Sequence, residues 1–315
     1  MTAALAAAFV WPIVAAVGAI VVIVWGAAVW QRRRFDRLVG SRFPIGPLGI
    51  IRGAEPLALR ADGAAVGVVL LHGFGDTPQT VAALARALRD RGYDVDVPLL
   101  PGHGRTLEEF ARSKGSDWLM EARRAHASMR ARHTRVALIG LSLGGALAAS
   151  IAADDQSLAA LVLLAPYLDT PPWLRVLTYA APALGVVVPY VGGAGTQSIH
   201  DPAARAEALA YGAVTPQLVR ELVRVADAAR AALPRVTAPT LYVQSREDNR
   251  ITPAVAARAF ASIGTPVKRL EMLSGCGHVL TVDYCREQVA SLVLEWLRAH
   301  AHGNEIGRAA CRERV

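Results

Sequence analysis

The chain has 315 residues, of which 53% are hydrophobic and 19% charged, and its formal net charge is +8. This length allows one large α/β domain or two small ones. The arginines are scattered among acidic residues without a basic block rich in aromatics, so no nucleic-acid partner is expected. The cysteines Cys276, Cys285 and Cys311 indicate no disulfide framework and no metal site, which is compatible with a reducing compartment.

The first predicted element is a membrane-spanning helix at 3–30, a segment without a charged side chain. An apolar run of this length can cross the roughly 30 Å hydrocarbon core. Arg32, Arg33 and Arg34 follow, and this charge predicts a single-pass anchor with the remainder of the chain cytoplasmic. An orientation with the domain outside stays open. The alternatives are a buried core helix and a cleaved signal peptide, which should begin with basic residues and have a shorter apolar region.

The anchor is followed by a predicted basic juxtamembrane linker at 31–52, whose prolines and glycines indicate a short spacer. A folded domain is predicted from 53 to 302. The last residues, 305–315, resemble the translation of a common sequencing adapter, and we interpret them as an assembly artefact that carries no fold information.

Short β-like runs alternate with amphipathic helices along the predicted domain. The predicted strands are 65–71, 93–100, 135–141, 158–164, 240–244 and 267–272. Helical patterns lie between most of them, for example at 78–90, where Val81 and Leu84 share one face. This alternation predicts an α/β fold with a mainly parallel sheet and helices on both faces. A Pro- and Gly-rich insert at about 169–234 interrupts it and is predicted to form a lid above the strand ends.

The strand at 135–141 runs into Ser142, which stands between Gly140 and Gly144, and a helical run follows at once. This G-x-S-x-G pattern is typical of a nucleophile elbow, a strand-to-helix turn so sharp that glycines are needed two residues before and after the serine. The turn would expose the Ser142 hydroxyl at the sheet edge. A serine that merely caps the helix is the alternative, but the strand before it and the helix after it favour a nucleophile.

A serine nucleophile needs a base, and the base needs an orienting acid. His278 is the predicted base because it follows the last predicted strand by a short loop. Asp248 is the predicted acid because it lies just past the strand at 240–244. The competing acids are Glu247, which a regular turn would point the opposite way, and Asp283, which is expected to cap the last helix.

An oxyanion hole needs two N–H donors that point at one position. One is expected from the backbone of Leu143, directly after the serine. The other is assigned to Phe74, in a glycine-rich loop after the strand at 65–71. His72 and His103 also lie in loops, and they are predicted to hold these loops rather than to react.

These motifs, in this order, resemble the α/β-hydrolase superfamily from 53 to about 299, and within it the bacterial carboxylesterase and monoacylglycerol lipase group. The matching segments are 53–56, 70–78, 101–104, 117–118, 140–145 and 277–283. Two features depart from the group: Ser245 stands where many members of the superfamily have glycine, and the predicted anchor differs from the usual soluble form. The site residues that the resemblance implies are Ser142, Asp248 and His278 as a triad, and Phe74 and Leu143 as oxyanion donors.

The predicted function is a serine carboxylic-ester hydrolase that forms an acyl-enzyme on apolar acyl esters such as monoglycerides, without a cofactor or a metal. Its expected partners are a small-molecule or lipid ester and, through the N-terminal helix, a membrane. Thioester hydrolysis, acyl transfer and perhydrolysis can use the same site and remain alternatives. A non-catalytic hydrolase-fold binding module is the alternative of another class, although it would be expected to lack a triad residue. The sequence does not indicate an oligomeric state.

Overall fold

The computed structural model describes residues 2–192 and 196–302. The strands are β1 Leu57–Leu59, β2 Val66–Leu71, β3 Asp94–Val97, β4 Arg135–Leu141, β5 Ala160–Leu164, β6 Val191–Gly192, β7 Ala213–Val214, β8 Thr240–Ser245 and β9 Lys268–Leu273. The α-helices are α1 Thr2–Arg42, α2 Ala82–Arg89, α3 Leu107–Arg112, α4 Gly115–Arg132, α5 Leu143–Ala152, α6 Pro172–Tyr179, α7 Ala181–Val187, α8 Pro202–Glu207, α9 Pro216–Ala232, α10 Pro253–Ala261 and α11 Arg286–His300.

Seven of the described strands form the main sheet, in the order β1-β3-β2-β4-β5-β8-β9. β1 is antiparallel to β3, and all other neighbours are parallel. The central strands β2, β4, β5 and β8 are almost entirely buried because helices cover both faces, which explains their continuous runs of Val, Leu and Ile. The predicted parallel sheet between helical layers is confirmed, although the edge strand β1 was not predicted. A strand of three residues is too short to give a periodic signal.

Alternate side chains of the sheet enter two separate cores. Val69 and Leu71 of β2 belong to the core beneath α4, α5 and α9, where Trp118 is completely buried. Val68 and Leu70 belong to the core beneath α2 and α11. Since each face is packed, the carboxyl ends of the parallel strands, and the loops that leave them, are held in fixed positions relative to one another.

The N-terminal helix α1 is longer than the predicted span. By length and composition, Ile13–Arg42 could cross a membrane. The predicted linker at 31–52 is helical up to Arg42, and only the part after Arg42 is a turn-rich spacer. Most of the described apolar side chains from Trp11 to Trp30 are exposed, whereas Ala28 and Phe43 are buried, and α1 contacts α7.

The insert predicted as a lid contains α6, α7, α8 and α9 and the short antiparallel pair β6–β7. Ion pairs join its first helix to its last, since Arg175 lies 2.7 Å from Asp227. Several large apolar side chains of α6 and α7 are exposed: Trp173, Val176, Tyr179, Val186 and Val187. This insert, called the lid below, therefore presents exposed apolar side chains on α6 and α7, and α7 contacts α1.

Cys276 and Cys285 form a disulfide, so the expectation that the cysteines indicate no disulfide framework is wrong for this pair. Their Cα atoms lie 5.8 Å apart, within the usual range, because the loop between β9 and α11 turns back on itself. This turn depends on tertiary contacts and left no pattern in the sequence. Cys311 and the suspected artefact at 305–315 lie outside the described residues.

Candidate active site

Ser142 lies at the sharp turn between β4 and α5, with φ of 53°. Few side chains adopt this left-handed region, and strain of this kind clusters at functional sites. A Cβ atom on Gly140 would overlap the carbonyl group of Gly144, and one on Gly144 would overlap the carbonyl group of Leu71. Both glycines are therefore required by neighbouring backbone, as the elbow pattern predicts. The turn is further held by the Ser142 N–H, which donates to the Leu164 carbonyl at 3.0 Å.

The structure brings together three side chains that are far apart in the sequence. The hydroxyl oxygen of Ser142 lies 2.8 Å from Nε2 of His278. The other ring nitrogen of His278, Nδ1, lies 2.8 Å from Oδ2 of Asp248. All three residues are at most 9% exposed. The predicted nucleophile, base and acid thus form one continuous chain of hydrogen bonds.

The carboxylate of Asp248 is fully hydrogen-bonded. Its Oδ1 accepts from the backbone N–H groups of Arg250 and Ile251, and its Oδ2 accepts from Gln244 as well as from His278. Burial raises the pKa of Asp248, but the charge of His278 and these hydrogen bonds outweigh burial, so the pKa lies below its usual value. An ionised carboxylate keeps the proton of His278 on Nδ1 and leaves Nε2 free to accept the serine proton.

The two competing acids have other partners. Glu247 accepts from the N–H of Gly275 and from the hydroxyl of Ser245, both at 3.2 Å, and forms no hydrogen bond or ion pair with His278 in the described residues. Asp283 does not cap the last helix, so that expectation is wrong. Its carboxylate instead accepts from the backbone N–H groups of His200 and Gly277 at 2.8 and 2.7 Å, which joins the lid to the loop that carries His278.

Of the two predicted oxyanion donors, Leu143 directly follows Ser142, and Phe74 follows Gly73 in a loop that approaches Ser142. The backbone N–H groups of Phe74 and Leu143 donate to no protein acceptor in the described residues. Gly73 lets the loop that carries Phe74 approach Ser142, because a Cβ atom at Gly73 would lie only 3.6 Å from Cβ of Ser142. Free N–H groups beside a nucleophile can stabilise an oxyanion that forms on a substrate.

Buried histidines support the Gly73–Gly75 loop. Nε2 of His72 accepts from the N–H of Leu100, which leaves the ring proton on Nδ1, and Nδ1 then donates to the carbonyl of Gly73. Burial lowers the pKa of His72 to about 4, so the ring is neutral at physiological pH. His103 lies against His72, and its Nδ1 contacts the Pro101 carbonyl. These contacts match the loop-holding role expected of both histidines.

A further polar cluster at this site has no signature in the sequence. The Asp76 carboxylate accepts from the N–H of Thr77 and the hydroxyl of Thr80, and the carbonyl of Thr80 accepts from the hydroxyl of Thr281. Burial raises the pKa of Asp76 to about 6, while the two hydrogen bonds lower it in part. The cluster ties the oxyanion loop to the loop of His278.

A pocket of about 220 Å³ opens onto Ser142 and His278. Its walls are largely apolar and come from the oxyanion loop and the lid, including Phe74, Leu174 and Leu222. A larger groove of about 780 Å³ lies along the β1–β3 edge of the sheet, and it contains none of the predicted site residues. The smaller pocket is therefore the candidate active site, because the nucleophile lies inside it.

Comparison with protein-family models identifies the family of this chain. The family model Hydrolase_4, described as serine aminopeptidase, S33, matches residues 64–284. The chain belongs to this family. The match covers the whole main sheet after β1, the elbow and the loop of His278, and it confirms the resemblance to the α/β-hydrolase superfamily.

Individual relatives agree with this family. The chain is 29% identical over 252 residues to the thermostable monoacylglycerol lipase of Bacillus sp. (strain H-257), covering 80% of this chain and 97% of the lipase. It is 27% identical over 234 residues to the carboxylesterase of Bacillus subtilis (strain 168), covering 73% and 91%. A solved structure reported for LipS and LipT, two metagenome-derived lipolytic enzymes, has a TM-score of 0.73 and 30% identity, with 80% and 100% coverage. The predicted enzyme class, carboxylic-ester hydrolysis, is confirmed.

Proposed function

We propose that this chain is a serine carboxylic-ester hydrolase in which Ser142 forms an acyl-enzyme. The observation that carries the proposal is the continuous hydrogen-bond chain from the Ser142 hydroxyl through His278 to Asp248. A hydroxyl is a weak nucleophile, and a neutral imidazole held in the correct tautomer is the group that activates it.

Each step follows from the positions of these groups. The Ser142 hydroxyl attacks the ester carbonyl while Nε2 of His278 takes its proton. The N–H groups of Phe74 and Leu143 donate hydrogen bonds to the developing oxyanion. His278 then returns the proton to the leaving alcohol, and a water molecule, deprotonated by the same nitrogen, attacks the acyl-enzyme. His278 gives this second proton to the Ser142 oxygen as the ester bond breaks, which releases the carboxylic acid and restores the hydroxyl. Asp248 stabilises the imidazolium at both stages.

We further propose that the substrates are apolar acyl esters such as monoglycerides. The pocket wall is mostly apolar, and the lid contributes Leu174, Val219 and Leu222 to it. Burial of an acyl chain against such a wall is favourable by about 0.8 kcal/mol per CH₂ group. The monoacylglycerol lipase named among the relatives supports the same class.

We also propose that α1 anchors the protein in a membrane. Its apolar side chains are exposed, Trp11 and Ile23 by 70% and 69%, and a bilayer would cover them. The exposed apolar surface of α6 and α7 lies next to this helix and would meet the same bilayer. A signal sequence is the competing interpretation, and an intact N-terminus on protein recovered from the membrane fraction would exclude it.

The orientation of the domain stays a prediction. The arginines after the span predict a cytoplasmic domain. The Cys276–Cys285 disulfide is more typical of an oxidising compartment and favours the opposite side. Protease added to sealed membrane vesicles of known orientation distinguishes the two, because only an outward-facing domain is digested.

The direct test of the proposed mechanism is Ser142→Ala, assayed with p-nitrophenyl butyrate. The variant is expected to lose ester turnover by roughly 10⁴–10⁶-fold, because no other nucleophile is activated. A fluorophosphonate probe should label the wild type and not the variant. Ser150→Ala, in the following helix α5, is the matched control and should keep both activities. Turnover by Ser142→Ala close to that of the wild type would overturn the proposal.

A further inference from the structure

The pocket beside Ser142 contains one strongly basic side chain. Among the described residues, Arg250 is the only arginine or lysine in its lining. The remaining lining is apolar or small, apart from His278, a few hydroxyl groups and the carboxyl of Asp76. Arg250 is exposed, so water solvates its charge, and its place in the wall of an otherwise apolar pocket makes it the cationic group that an anionic part of a substrate would meet there.

Hydrogen bonds hold Arg250 in place at two points. Its backbone N–H donates to Oδ1 of Asp248 at 2.7 Å, and its Nε donates to the hydroxyl of Ser198 at 3.1 Å. Ser198 is buried, and its hydroxyl donates in turn to the side-chain oxygen of Asn249. The guanidinium is therefore positioned by the scaffold of the active site rather than left as a free surface chain.

The terminal amino groups of the same guanidinium have no protein partner. Arg250 forms no ion pair in the part of the chain that the structure describes, and its Nη atoms donate to no protein acceptor there. The lid arginines Arg175 and Arg230 differ, since they pair with Asp227 and Asp169. The planar fork of a guanidinium matches the two oxygens of a carboxylate or a phosphate, so an unpaired fork is a ready anion site.

The position of Arg250 indicates which part of an ester it would meet. The carbonyl of Ser198, the residue that holds the guanidinium, accepts from the N–H of Val279, which directly follows His278. Arg250 therefore lies on the histidine side of the pocket. His278 must protonate the leaving alcohol in the proposed reaction, so the alcohol portion occupies this side. The acyl chain would then pack against the apolar pocket wall that the lid contributes.

We propose that Arg250 binds an anionic group on the alcohol portion of the ester, so that preferred substrates are acyl esters of an alcohol that carries a phosphate or a carboxylate. This inference rests on the proposed ester hydrolysis at Ser142 and refines its substrate class. The guanidinium takes part in no bond change. Its contribution is the binding and orientation of the substrate, and it should therefore act mainly through KM.

The test compares esters that share one acyl chain. The full-length protein in non-ionic detergent is assayed with monolauroylglycerol, with lauroylglycerol phosphate and with lauroyl lactate, which carries a carboxylate. The wild type is expected to prefer at least one anionic ester. Arg250→Gln should lower the ratio of kcat/KM for that anionic ester to kcat/KM for monolauroylglycerol by roughly tenfold to hundredfold, through KM, and Arg250→Lys should restore part of it. The two anionic arms distinguish phosphate from carboxylate.

Arg246→Gln is the matched control, since Arg246 lies in the same loop, is exposed and does not line the pocket. It removes the same charge and should leave the ratio unchanged. An equal ratio in wild type and Arg250→Gln, or a parallel loss on all three esters, overturns the inference and assigns Arg250 to the support of Asp248. Failure of the wild type to hydrolyse any ester, together with no fluorophosphonate labelling, overturns the proposed function instead.

Discussion

The substitution Asp248→Asn tests the acid of the triad with little change in shape. Each carboxylate oxygen of Asp248 accepts two N–H groups, Oδ1 from the backbone and Oδ2 from Gln244 and His278. An asparagine has one oxygen and one NH₂ group in place of the two carboxylate oxygens. One of the two pairs of N–H groups must therefore face the NH₂ group, which is itself a donor. The backbone N–H groups cannot change, whereas His278 can move its ring proton. The amide is therefore expected to face His278.

An amide that donates to Nδ1 of His278 forces the ring proton onto Nε2. Nε2 can then no longer accept the proton of Ser142, and the base is lost although the geometry is kept. We expect kcat/KM for p-nitrophenyl butyrate to fall by about 10⁴-fold, which is on the order of 5 kcal/mol in activation free energy. Thermal unfolding measured in parallel shows that the variant is folded.

Glu247→Gln is the matched control for this variant, because Glu247 is the neighbouring acid in the same loop and contacts Gly275 instead. It should keep kcat/KM within about twofold of the wild type, as is usual for a surface change away from the chemistry. A loss of less than tenfold in Asp248→Asn, or an equal loss in Glu247→Gln, would refute the assignment of the acid.

Three further outcomes are expected. Gly144→Ala should destabilise the protein by about 3 kcal/mol in urea unfolding, because its methyl group would overlap the Leu71 carbonyl, and unchanged stability would contradict this. Since burial raises the pKa of Asp76 to about 6, its contribution to stability is present at low pH and is lost as the pH rises through about 4 to 6. The unfolding free energy of Asp76→Asn minus that of the wild type, measured in urea titrations, should therefore increase as the pH rises over that range. A difference that does not change with pH would disprove the raised pKa of Asp76. The double variant Cys276→Ser with Cys285→Ser should lose about 2–3 kcal/mol by the same method, unless the bridge does not form in solution.

The sequence was most informative where the relevant residues are neighbours in the chain. The elbow around Ser142 is readable because a strand, two glycines and a helix follow one another within a few residues. His278 and Asp248 could be predicted because each lies just after a strand, and the carboxyl ends of parallel strands share one edge of a sheet. The structure brings these three side chains together.

The features that could not be predicted depend on contacts between loops. In the sequence, Gln244 is the last residue of a predicted strand, and its hydrogen bond to Asp248 depends on the turn that follows. The carboxylate of Asp283 joins the lid to the histidine loop, which a helix-cap rule cannot anticipate. The hydrogen bond from Arg250 to Ser198 requires residues 52 positions apart to meet. In each case the decisive partner is set by tertiary packing.

If α1 is the membrane anchor proposed above, its contact with the lid links the anchor to the roof of the pocket. Phe35 of α1 packs against Tyr190 at the end of the lid helices, with ring centroids 5.6 Å apart. In a bilayer, any tilt of the anchor that matches its apolar length to the local membrane thickness would also displace this roof. The lipid composition of the bilayer would then act on the volume available to a substrate from a distance, through the lid rather than at the reacting serine.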